Sequence, residues 1–309
     1  MKKFLGKIVV FTTTFIILLL VIQFGTSSII SAKADFKIVT KPQYLVLGHS
    51  HSECAFNDKI ISDLVNFSSS GEAYFYTYFK AKQILEENPS IKTVFLEFSN
   101  NQIAEKMNDW TWDDKHLNNS YQKFSPFMKA EDQLLLFKNN PKTFLKHFLL
   151  PKKNIEFVFE RNFDFTKEMG GYRYLDNEMK ETTKDTMQVF AEENDKLSSF
   201  NLFYLSKIIE LCSKYDIDIY LIRSPKHQFY KGYLLEDKYL NIRDSCFKDI
   251  EFFDFSKFPL KEHEFADDEH LNYKGANKFS TWFDELLKDS LLYKTDKQMY
   301  INMKMENIY

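Results

Sequence analysis

The stretch Tyr44–Asn57 reads Tyr-Leu-Val-Leu-Gly-His-Ser-His-Ser-Glu-Cys-Ala-Phe-Asn. Its four apolar residues, Tyr44–Leu47, predict a short buried strand, Gly48 allows a sharp turn, and a helical pattern follows over Asp58–Val65. Ser50 is therefore predicted where a parallel strand is followed by a helix. Backbone N–H donors gather at such a position, which favours an exposed nucleophile or a bound anion.

A base for Ser50 is expected far along the chain, in the segment Phe265-Ala-Asp-Asp-Glu-His-Leu-Asn-Tyr-Lys-Gly-Ala276. Asp267 and His270 are three residues apart, so the carboxylate can orient the imidazole while its other nitrogen faces Ser50. Each residue alone has a simpler explanation, because serines often cap helices and histidines often form surface hydrogen bonds. Together they predict a triad of Ser50, His270 and Asp267. Asp268 and Glu269, which lie between Asp267 and His270, are expected in solvent.

These segments resemble the motif blocks of SGNH/GDSL-type hydrolases, in which the nucleophile follows the first strand and Asp-x-x-His precedes the last helix. Two more blocks fit in the same order. Asn66-Phe-Ser-Ser-Ser-Gly-Glu72 resembles the second block, with Gly71 at its glycine, and Phe95-Leu-Glu-Phe-Ser-Asn-Asn-Gln102 resembles the third, with Asn101 at its asparagine.

The chain departs from this family pattern at two places. Gly48-His49-Ser50 stands where the family has Gly-Asp-Ser, and Ser99-Asn-Asn-Gln102 stands where it has Gly-x-Asn-Asp, which makes Asn100 a rival to Asn101. This departure from Gly-Asp-Ser in the first block is similar to that in membrane-anchored SGNH-like proteins of polysaccharide O-acetylation and teichoic-acid D-alanylation.

The resemblance implies a three-layer, flavodoxin-like parallel sheet and a serine esterase or O-acyltransferase that needs no cofactor. An acylated cell-surface glycan is the implied substrate, a multipass membrane acyltransferase is a candidate partner, and Gly71 and Asn101 are the implied oxyanion donors. A non-catalytic glycan-binding or assembly protein on the same scaffold is the alternative.

A metal-dependent hydrolase is a further alternative, because His49 and His51 bracket Ser50. With Glu53, His263 and Asp267 they include ligand types that zinc uses. A second histidine-rich motif with metallohydrolase spacing is absent from the sequence, so no metal is predicted. His49 is expected to pack or to donate a hydrogen bond behind the nucleophile.

The composition is that of a folded, mildly acidic protein. The chain has 309 residues, 44% of them apolar and 17% aromatic, with a net charge of −3. The aromatic content argues against disorder, and the lack of a basic excess argues against nucleic acid as a partner. Three cysteines are too few for a disulfide framework, so buried thiols are expected, with a single disulfide pair as the alternative.

The N-terminus predicts a membrane-inserting helix. Residues Ile8–Ala32 carry no charge, and Lys2, Lys3 and Lys7 precede them. By the positive-inside rule the lysines stay in the cytoplasm and the rest of the chain is extracytoplasmic. Residues 1–34 are interpreted as an uncleaved anchor, with a signal peptide cleaved after Ala34 as the alternative and 35–309 as the SGNH-like domain.

Alternating strands and helices predict a parallel α/β sheet, interrupted at about residues 104–195 by a mainly helical insertion. Three of its later strands are predicted at Asn66–Ser70, Lys92–Phe98 and Ile217–Ile222, and within the insertion a helix is predicted over Ala130–Leu149. Within the insertion, Trp110 and Trp112 are candidate sugar-stacking platforms or, alternatively, core residues, as are Tyr172 and Tyr174. Arg223 and His227 follow a later strand and either bind substrate or pair with nearby acids. The predicted last helix is Lys274–Leu287, and Leu291–Tyr309 is interpreted as a polar tail without a role.

Overall fold

The computed structural model describes residues 1–179 and 196–308 and divides into two compact units. The first unit comprises Met1–Phe36 and Asp109–Glu168, and the second comprises Lys37–Asn108 and Met169–Tyr309. The insertion predicted at about 104–195 therefore overlaps the first unit only in part. Residues 169–179 belong to the second unit, and 180–195 lie outside the described residues.

The second unit contains a five-stranded, all-parallel sheet with the order β2-β1-β3-β4-β5. Its register pairs Leu45 of β1 with Val65 of β2 and Val94 of β3, and Leu221 of β4 with Phe252 of β5. The prediction of an α/β protein with a parallel sheet is confirmed. The five strands are β1 (Tyr44–Leu47), β2 (Leu64–Asn66), β3 (Thr93–Glu97), β4 (Asp218–Arg223) and β5 (Phe252–Asp254).

The helices of the second unit follow the strands in the alternation that a parallel sheet requires. Those of at least six residues are Ser50–Ala55, Tyr74–Glu87, Ser199–Lys214, Glu236–Cys246, Tyr273–Lys288 and Lys297–Glu306. Short 3-10 helices lie at Asn100–Ile103, Glu105–Asn108, Lys231–Leu235, Glu262–Glu264 and Leu291–Tyr293.

Aromatic side chains dominate the core on one face of the sheet. Phe95 of β3 and Phe253 of β5 are fully buried, and Phe279 and Phe283 of the Tyr273–Lys288 helix pack into the same cluster. In β3 the alternating residues Val94 and Leu96 are also fully buried. Because successive strand residues point to opposite faces, both faces of the sheet are covered.

Two element predictions near Ser50 are wrong. Helix formation occurs at Ser50–Ala55 and not at Asp58–Val65, because the Asn66 side chain donates to the carbonyls of Ser52 and Phe56 at the helix end. The strand predicted at Asn66–Ser70 lies two residues earlier, at Leu64–Asn66. The serines that follow it belong to a turn.

The interpretation of Leu291–Tyr309 as a tail without a role is also wrong. Leu291 and Ile301 are fully buried in the aromatic core. The Gln298 side chain accepts a hydrogen bond from the backbone N–H of Asp254, at 2.9 Å. This segment therefore completes the core beside β5.

The first unit is built from helices and short 3-10 turns. Its longest helix, Lys2–Lys33, is long and apolar enough to cross a membrane by length and composition. Its later part packs within the unit, with Ile30 buried and the Phe24 ring centroid 6.0 Å from that of Phe148. The other elements are helices Asp109–Trp112, Asp114–Phe124, Ala130–Asn139, Pro141–Leu149 and Lys152–Glu160, and 3-10 helices Ser125–Phe127 and Phe165–Glu168.

Candidate active site

Ser50 is the first residue of a short helix that begins three residues after the end of β1. Gly48 makes this tight connection possible. A Cβ at Gly48 would lie 2.4 Å from Ser52 Oγ and 2.5 Å from Glu97 Cβ, closer than real Cβ contacts allow. The backbone can therefore deliver Ser50 to the carboxyl edge of the sheet only with glycine at this position.

Asp267 and His270 lie in a tight turn, the His270 loop (residues 266–270). The backbone N–H groups of Glu269 and His270 both donate to Asp267 Oδ1, at 2.8 Å each. The loop is closed by a hydrogen bond from the Ala266 N–H to the His270 carbonyl, at 2.9 Å. These bonds fix the carboxylate relative to the imidazole three residues later.

The three predicted catalytic side chains form one continuous hydrogen-bonded relay. His270 Nδ1 lies 2.9 Å from Asp267 Oδ1, and His270 Nε2 lies 2.7 Å from Ser50 Oγ. A neutral imidazole with its proton on Nδ1 donates to the carboxylate and accepts from the Ser50 hydroxyl. Burial alone would raise the pKa of Asp267, but the hydrogen bond and charge of His270 outweigh it and hold the pKa below its usual value.

Gly71 lies in a turn that is bonded to the end of β1. The Ser69 N–H donates to the Gly48 carbonyl at 3.0 Å, two residues from Ser50. Gly71 itself has φ of +68°, in the left-handed region that glycine adopts without cost. The structure thus brings the second sequence block to the connection that carries Ser50.

Asn101 is joined to the residue before Ser50 through one serine. His49 Nε2 lies 2.9 Å from Ser99 Oγ, and Ser99 Oγ donates to Asn101 Oδ1 at 2.8 Å. Because Oδ1 accepts this bond, the amide group of Asn101 keeps its N–H donors for another partner. His49 meets the expectation of a hydrogen bond behind the nucleophile.

Asn100, the rival donor, is held by charged groups. Its Nδ2 donates to Glu236 Oε2 at 2.6 Å, and its Oδ1 accepts from Arg223 Nη1 at 3.3 Å. Both ends of the Asn100 amide are therefore engaged inside the protein.

Of its two alternatives, Arg223 takes the pairing with acids. Its guanidinium donates to Glu236 at 2.8 Å and 3.0 Å and forms a two-pronged ion pair with Asp254, while its side chain is 3% exposed. Burial would lower the pKa of Arg223, but the bonds and charge of Asp254 raise it above its usual value. The structure therefore favours ion pairing over substrate binding as the role of Arg223.

His227 lines a cavity of about 470 Å³ at the carboxyl ends of β4 and β5. The same cavity is lined by Lys226, which lies near the His270 loop in space, and by Phe265, which directly precedes that loop in sequence. His227 Nδ1 accepts the Phe229 N–H at 3.3 Å, and burial lowers the pKa of His227. A neutral imidazole in this state presents Nε2–H as a donor.

Trp110 and Trp112 lie in the first unit, whereas all relay residues lie in the second. The Trp110 ring stacks on His116 with 5.8 Å between centroids, and the Trp112 carbonyl accepts from Asn140 Nδ2 at 2.8 Å. Both side chains are half-buried. Their role in substrate binding stays a prediction.

Residues 169–179 form a strap that the sequence had assigned to the insertion. The strap bonds to the turn before Gly71 through Gly171 N–H and the Ser68 carbonyl at 3.1 Å, and to the Ser50 helix through Arg173 N–H and the Glu53 carbonyl at 2.8 Å. Asn177 Nδ2 then reaches the Ala266 carbonyl in the His270 loop, at 3.0 Å. The strap therefore ties three motif blocks together.

Two residue groups in the described chain could hold a metal ion: His49, His51 and Glu97, and His51, Glu269 and His270. In each group the ligand atoms lie within 4.8 Å of one another. His270 Nε2 is bonded to Ser50, and His49 Nε2 to Ser99, so a metal at either place would compete with these bonds or use the other nitrogens. Glu53, His263 and Asp267, which were candidate ligands by residue type, belong to neither group.

Sequence reasoning missed several buried polar residues near the relay. Glu97 is one of these residues and lies within the third motif block. A carboxylate inside an apolar strand is itself a sign of a buried polar site. Glu269 was expected in solvent, yet it contacts His51 and is only 30% exposed. Cysteines also differ from expectation in part, because Cys54 and Cys212 are buried but Cys246 is exposed.

Comparison with known proteins adds one finding. A family model matches residues 164–292, and that family has no characterised function. The match covers less than half of the 309-residue chain and includes Asp267 and His270 but not Ser50. No curated protein matches the chain.

Proposed function

We propose that the chain is an SGNH-type serine esterase or O-acyltransferase that acts on acylated cell-surface polysaccharide through an acyl-Ser50 intermediate. The observation that carries the proposal is the relay from Asp267 through His270 to Ser50, with bonds of 2.9 Å and 2.7 Å. The relay joins residues 220 positions apart in sequence. A serine that only caps a helix, or a histidine that only forms surface hydrogen bonds, does not require this arrangement.

In the first half-reaction Ser50 Oγ attacks the ester carbonyl while its proton passes to His270 Nε2. The tetrahedral intermediate collapses, the carbon–oxygen bond to the alcohol breaks, and His270 gives the proton to the departing alkoxide. In the second half-reaction water or a sugar hydroxyl gives its proton to His270 and attacks the acyl carbon. The bond between the acyl carbon and Ser50 Oγ then breaks, and His270 returns the proton to Ser50 Oγ. Asp267 stabilises the imidazolium in both halves, which its lowered pKa supports.

Oxyanion stabilisation is assigned to the backbone N–H groups of Ser50 and Gly71 and the amide of Asn101. The bonding of Asn101 Oδ1 to Ser99 supports Asn101 over Asn100, since it turns the donor end of the amide away from Ser99. The engagement of both ends of Asn100 supports the same choice.

The strand order supports an SGNH-type scaffold of the flavodoxin-like kind, for which the order 2-1-3-4-5 is characteristic. Ligands of such sheets bind at the carboxyl ends of the strands. The cavity that includes His227 lies at the ends of β4 and β5 and is a candidate place for the part of the substrate away from the ester.

The Lys2–Lys33 helix is proposed as an uncleaved membrane anchor that leaves the sheet unit on the extracytoplasmic side. Its buried Gln23 and Ile30 support retention, because cleavage after Ala34 would remove part of the first unit's own packing. Added protease should digest the sheet unit in intact spheroplasts. Protection of that unit until the membrane is lysed would contradict the topology.

The direct test is the mass of the intact protein after treatment with a fluorophosphonate, followed by peptide mapping. A single adduct on Ser50 that is lost in His270→Ala is expected, because the phosphonate requires a deprotonated serine oxygen. An unlabelled wild-type protein would contradict the proposal.

A metal-dependent hydrolase is the second candidate, favoured by the His51, Glu269 and His270 group. It predicts ester turnover that a chelator abolishes and that survives in Ser50→Ala. The serine mechanism predicts the opposite result for both treatments.

A further inference from the structure

A buried cluster of charged and imidazole groups lies beside the His270 loop and has no part in the proton transfers above. It consists of Lys226 after β4, Glu97 at the end of β3, His51 in the Ser50 helix, and Glu269 in the loop itself. Lys226, Glu97 and His51 are at most 4% exposed. Burial of charges on this scale is costly unless they are paired, so the cluster calls for a role.

Lys226 binds the His270 loop directly. Its Nζ donates to the backbone carbonyl of Glu269 at 3.0 Å, and its ammonium lies 5.2 Å from the centroid of the Tyr230 ring. Glu269 is the residue between Asp268 and His270, so this bond holds the loop next to the catalytic imidazole. The Lys226 N–H is itself bonded to the Ser256 carbonyl at 3.2 Å, which fixes the lysine to the chain after β5.

Glu269 and His51 form a second tie. His51 Nε2 lies 3.6 Å from Glu269 Oε2, and His51 Nδ1 lies 3.7 Å from Glu97 Oε1. These distances exceed ordinary hydrogen bonds but bring ring and carboxylates into contact. His51 directly follows Ser50 and Glu269 directly precedes His270, so the contact joins the neighbours of the nucleophile and the base.

The charge states of the groups in this cluster are consistent with the Glu269–His51 contact. Burial would raise the pKa of Glu269, but the contact with His51 and the charge of Lys226 outweigh it and lower the pKa to about 2. Burial lowers the pKa of His51 to about 3, so this ring is neutral. Lys226 therefore supplies the positive charge that faces the carboxylates of Glu97, Glu269 and Asp267.

We infer that Lys226 and the Glu269–His51 contact position the His270 loop and keep His270 Nε2 within proton-transfer distance of Ser50 Oγ. The inference rests on the proposed serine mechanism. These are positioning residues, because they act through His270 and not on the substrate. Displacing a catalytic group by even ~1 Å can cost roughly 100-fold in rate.

Lys226→Met keeps the length of the side chain and removes the ammonium. We expect the rate constant for fluorophosphonate labelling of Ser50 to fall roughly 10- to 100-fold. With a chromogenic acetyl ester, kcat should fall by the same factor while KM stays unchanged. Lys248→Met, at an exposed lysine before β5 that does not line the cavity, is the matched control and should label at the wild-type rate.

Glu269→Gln tests the second tie, since it keeps the shape of the side chain and removes its charge. A smaller loss, roughly 3- to 10-fold in labelling rate, is expected because the bond from Lys226 to the backbone remains. Glu86→Gln, at an exposed acid of the Tyr74–Glu87 helix that does not line the cavity, is its control and should have no effect.

The pH profile gives a readout that a purely structural role would not change. Burial lowers the pKa of Lys226 to about 8, against the opposing charges of Glu97 and Glu269. The labelling rate should therefore decline as pH rises through about 8. Lys226→Arg keeps its charge and should lose this decline. Burial raises the pKa of nearby Cys54 to about 12 and that of Tyr230 well above its usual value, so neither titrates in this range.

Labelling of Lys226→Met at the rate of the Lys248→Met control would overturn the inference, as would a loss that only follows the folded fraction measured by circular dichroism. If Lys226→Met does not fold, Lys226→Arg and Glu269→Gln decide, and wild-type rates and pH profiles in both would overturn it. An unlabelled wild-type protein speaks against the serine mechanism instead. The ring-nitrogen resonance of His270 Nε2, assigned by its loss in His270→Ala, then tests positioning directly and should shift in Lys226→Met, because Nε2 forms the contact with Ser50 Oγ.

Discussion

The two compact units differ in which side chains they bury and which they expose. The sheet unit buries charges and pairs them, as in Arg223 with Asp254 and Glu236, or Lys80 with Glu72 at 2.8 Å. The first unit keeps ion pairs such as Lys129 with Glu131 at its surface, both more than 70% exposed. Its exposed apolar side chains lie largely on the Lys2–Lys33 helix, where Phe11 is 73% exposed.

This difference separates two kinds of functional evidence. A buried charge is costly, so a unit that retains many of them, each paired, is the place to look for chemistry. An exposed apolar helix is costly in water but not in hydrocarbon. Such a helix therefore indicates a lipid environment and carries no information about a chemical activity.

The largest effect is expected at Ser50. Ser50→Ala removes the atom that forms the acyl bond in the proposed mechanism, so turnover of a chromogenic acetyl ester should fall roughly 10⁴- to 10⁶-fold. His270→Ala should cost a similar factor and the double variant little more, because members of one catalytic unit are not additive. Asp267→Asn should cost less, since Ser50 and His270 remain.

Additive losses in the double variant would mean that Ser50 and His270 do not act together. The stability of all three variants, followed by thermal unfolding, should stay near that of the wild type. A collapse of the fold in Ser50→Ala would make the relay a structural feature of the sheet unit.

The next effect is on the stability of the sheet unit. Ile301 is fully buried in the last helix, so Ile301→Ala should lower the free energy of unfolding by about 2–5 kcal/mol. Met303→Ala, at a residue 48% exposed on the same helix, is the control and should cost far less. Equal midpoints in urea for the two variants would show that the C-terminal helix does not support the core.

A smaller effect distinguishes glycines in the two units. Gly48→Ala would bring Cβ against Ser52 and Glu97, so a loss of about 1–3 kcal/mol in stability and a displaced Ser50 are expected. Gly25→Ala in the Lys2–Lys33 helix meets nothing within 4 Å and should be neutral or stabilising, because alanine favours helix. Stability is measured by denaturant unfolding, and Ser50 by labelling rate. Similar results at both glycines would contradict the close approach at Gly48.

The smallest effect on chemistry is expected for Trp110 and Trp112. Their replacement by Ala should leave the labelling rate of Ser50 within about twofold, since the small phosphonate needs only the relay. Glycan binding, measured by calorimetry with an acetylated polysaccharide, should weaken if the rings stack on sugars. Loss of fold with unchanged glycan binding by the remaining folded fraction would make these residues part of the first unit's core.

Much of the sheet unit was predictable because strands and motif blocks are local in sequence. β1 matches its predicted bounds, β3 and β4 lie within one residue of theirs at each end, and Asp267 and His270 are close neighbours by sequence alone. The helix after Ser50 was misplaced because its end is set by Asn66, a contact that no local pattern contains. The long helix predicted over Ala130–Leu149 is two helices, because Pro141 and the cap at Asn140 start a new one.

The sequence by itself determined the α/β class, the apolar N-terminal helix and the residue types of a serine relay, because periodicity, composition and short motifs are properties of neighbouring residues. Only the tertiary structure decided that His270 lies 2.7 Å from Ser50, that Arg223 forms an ion pair with Asp254, and that Lys226 binds the His270 loop. These outcomes depend on contacts between residues that are far apart in the chain. Such contacts form only when parallel strands bring their carboxyl ends to one edge of the sheet.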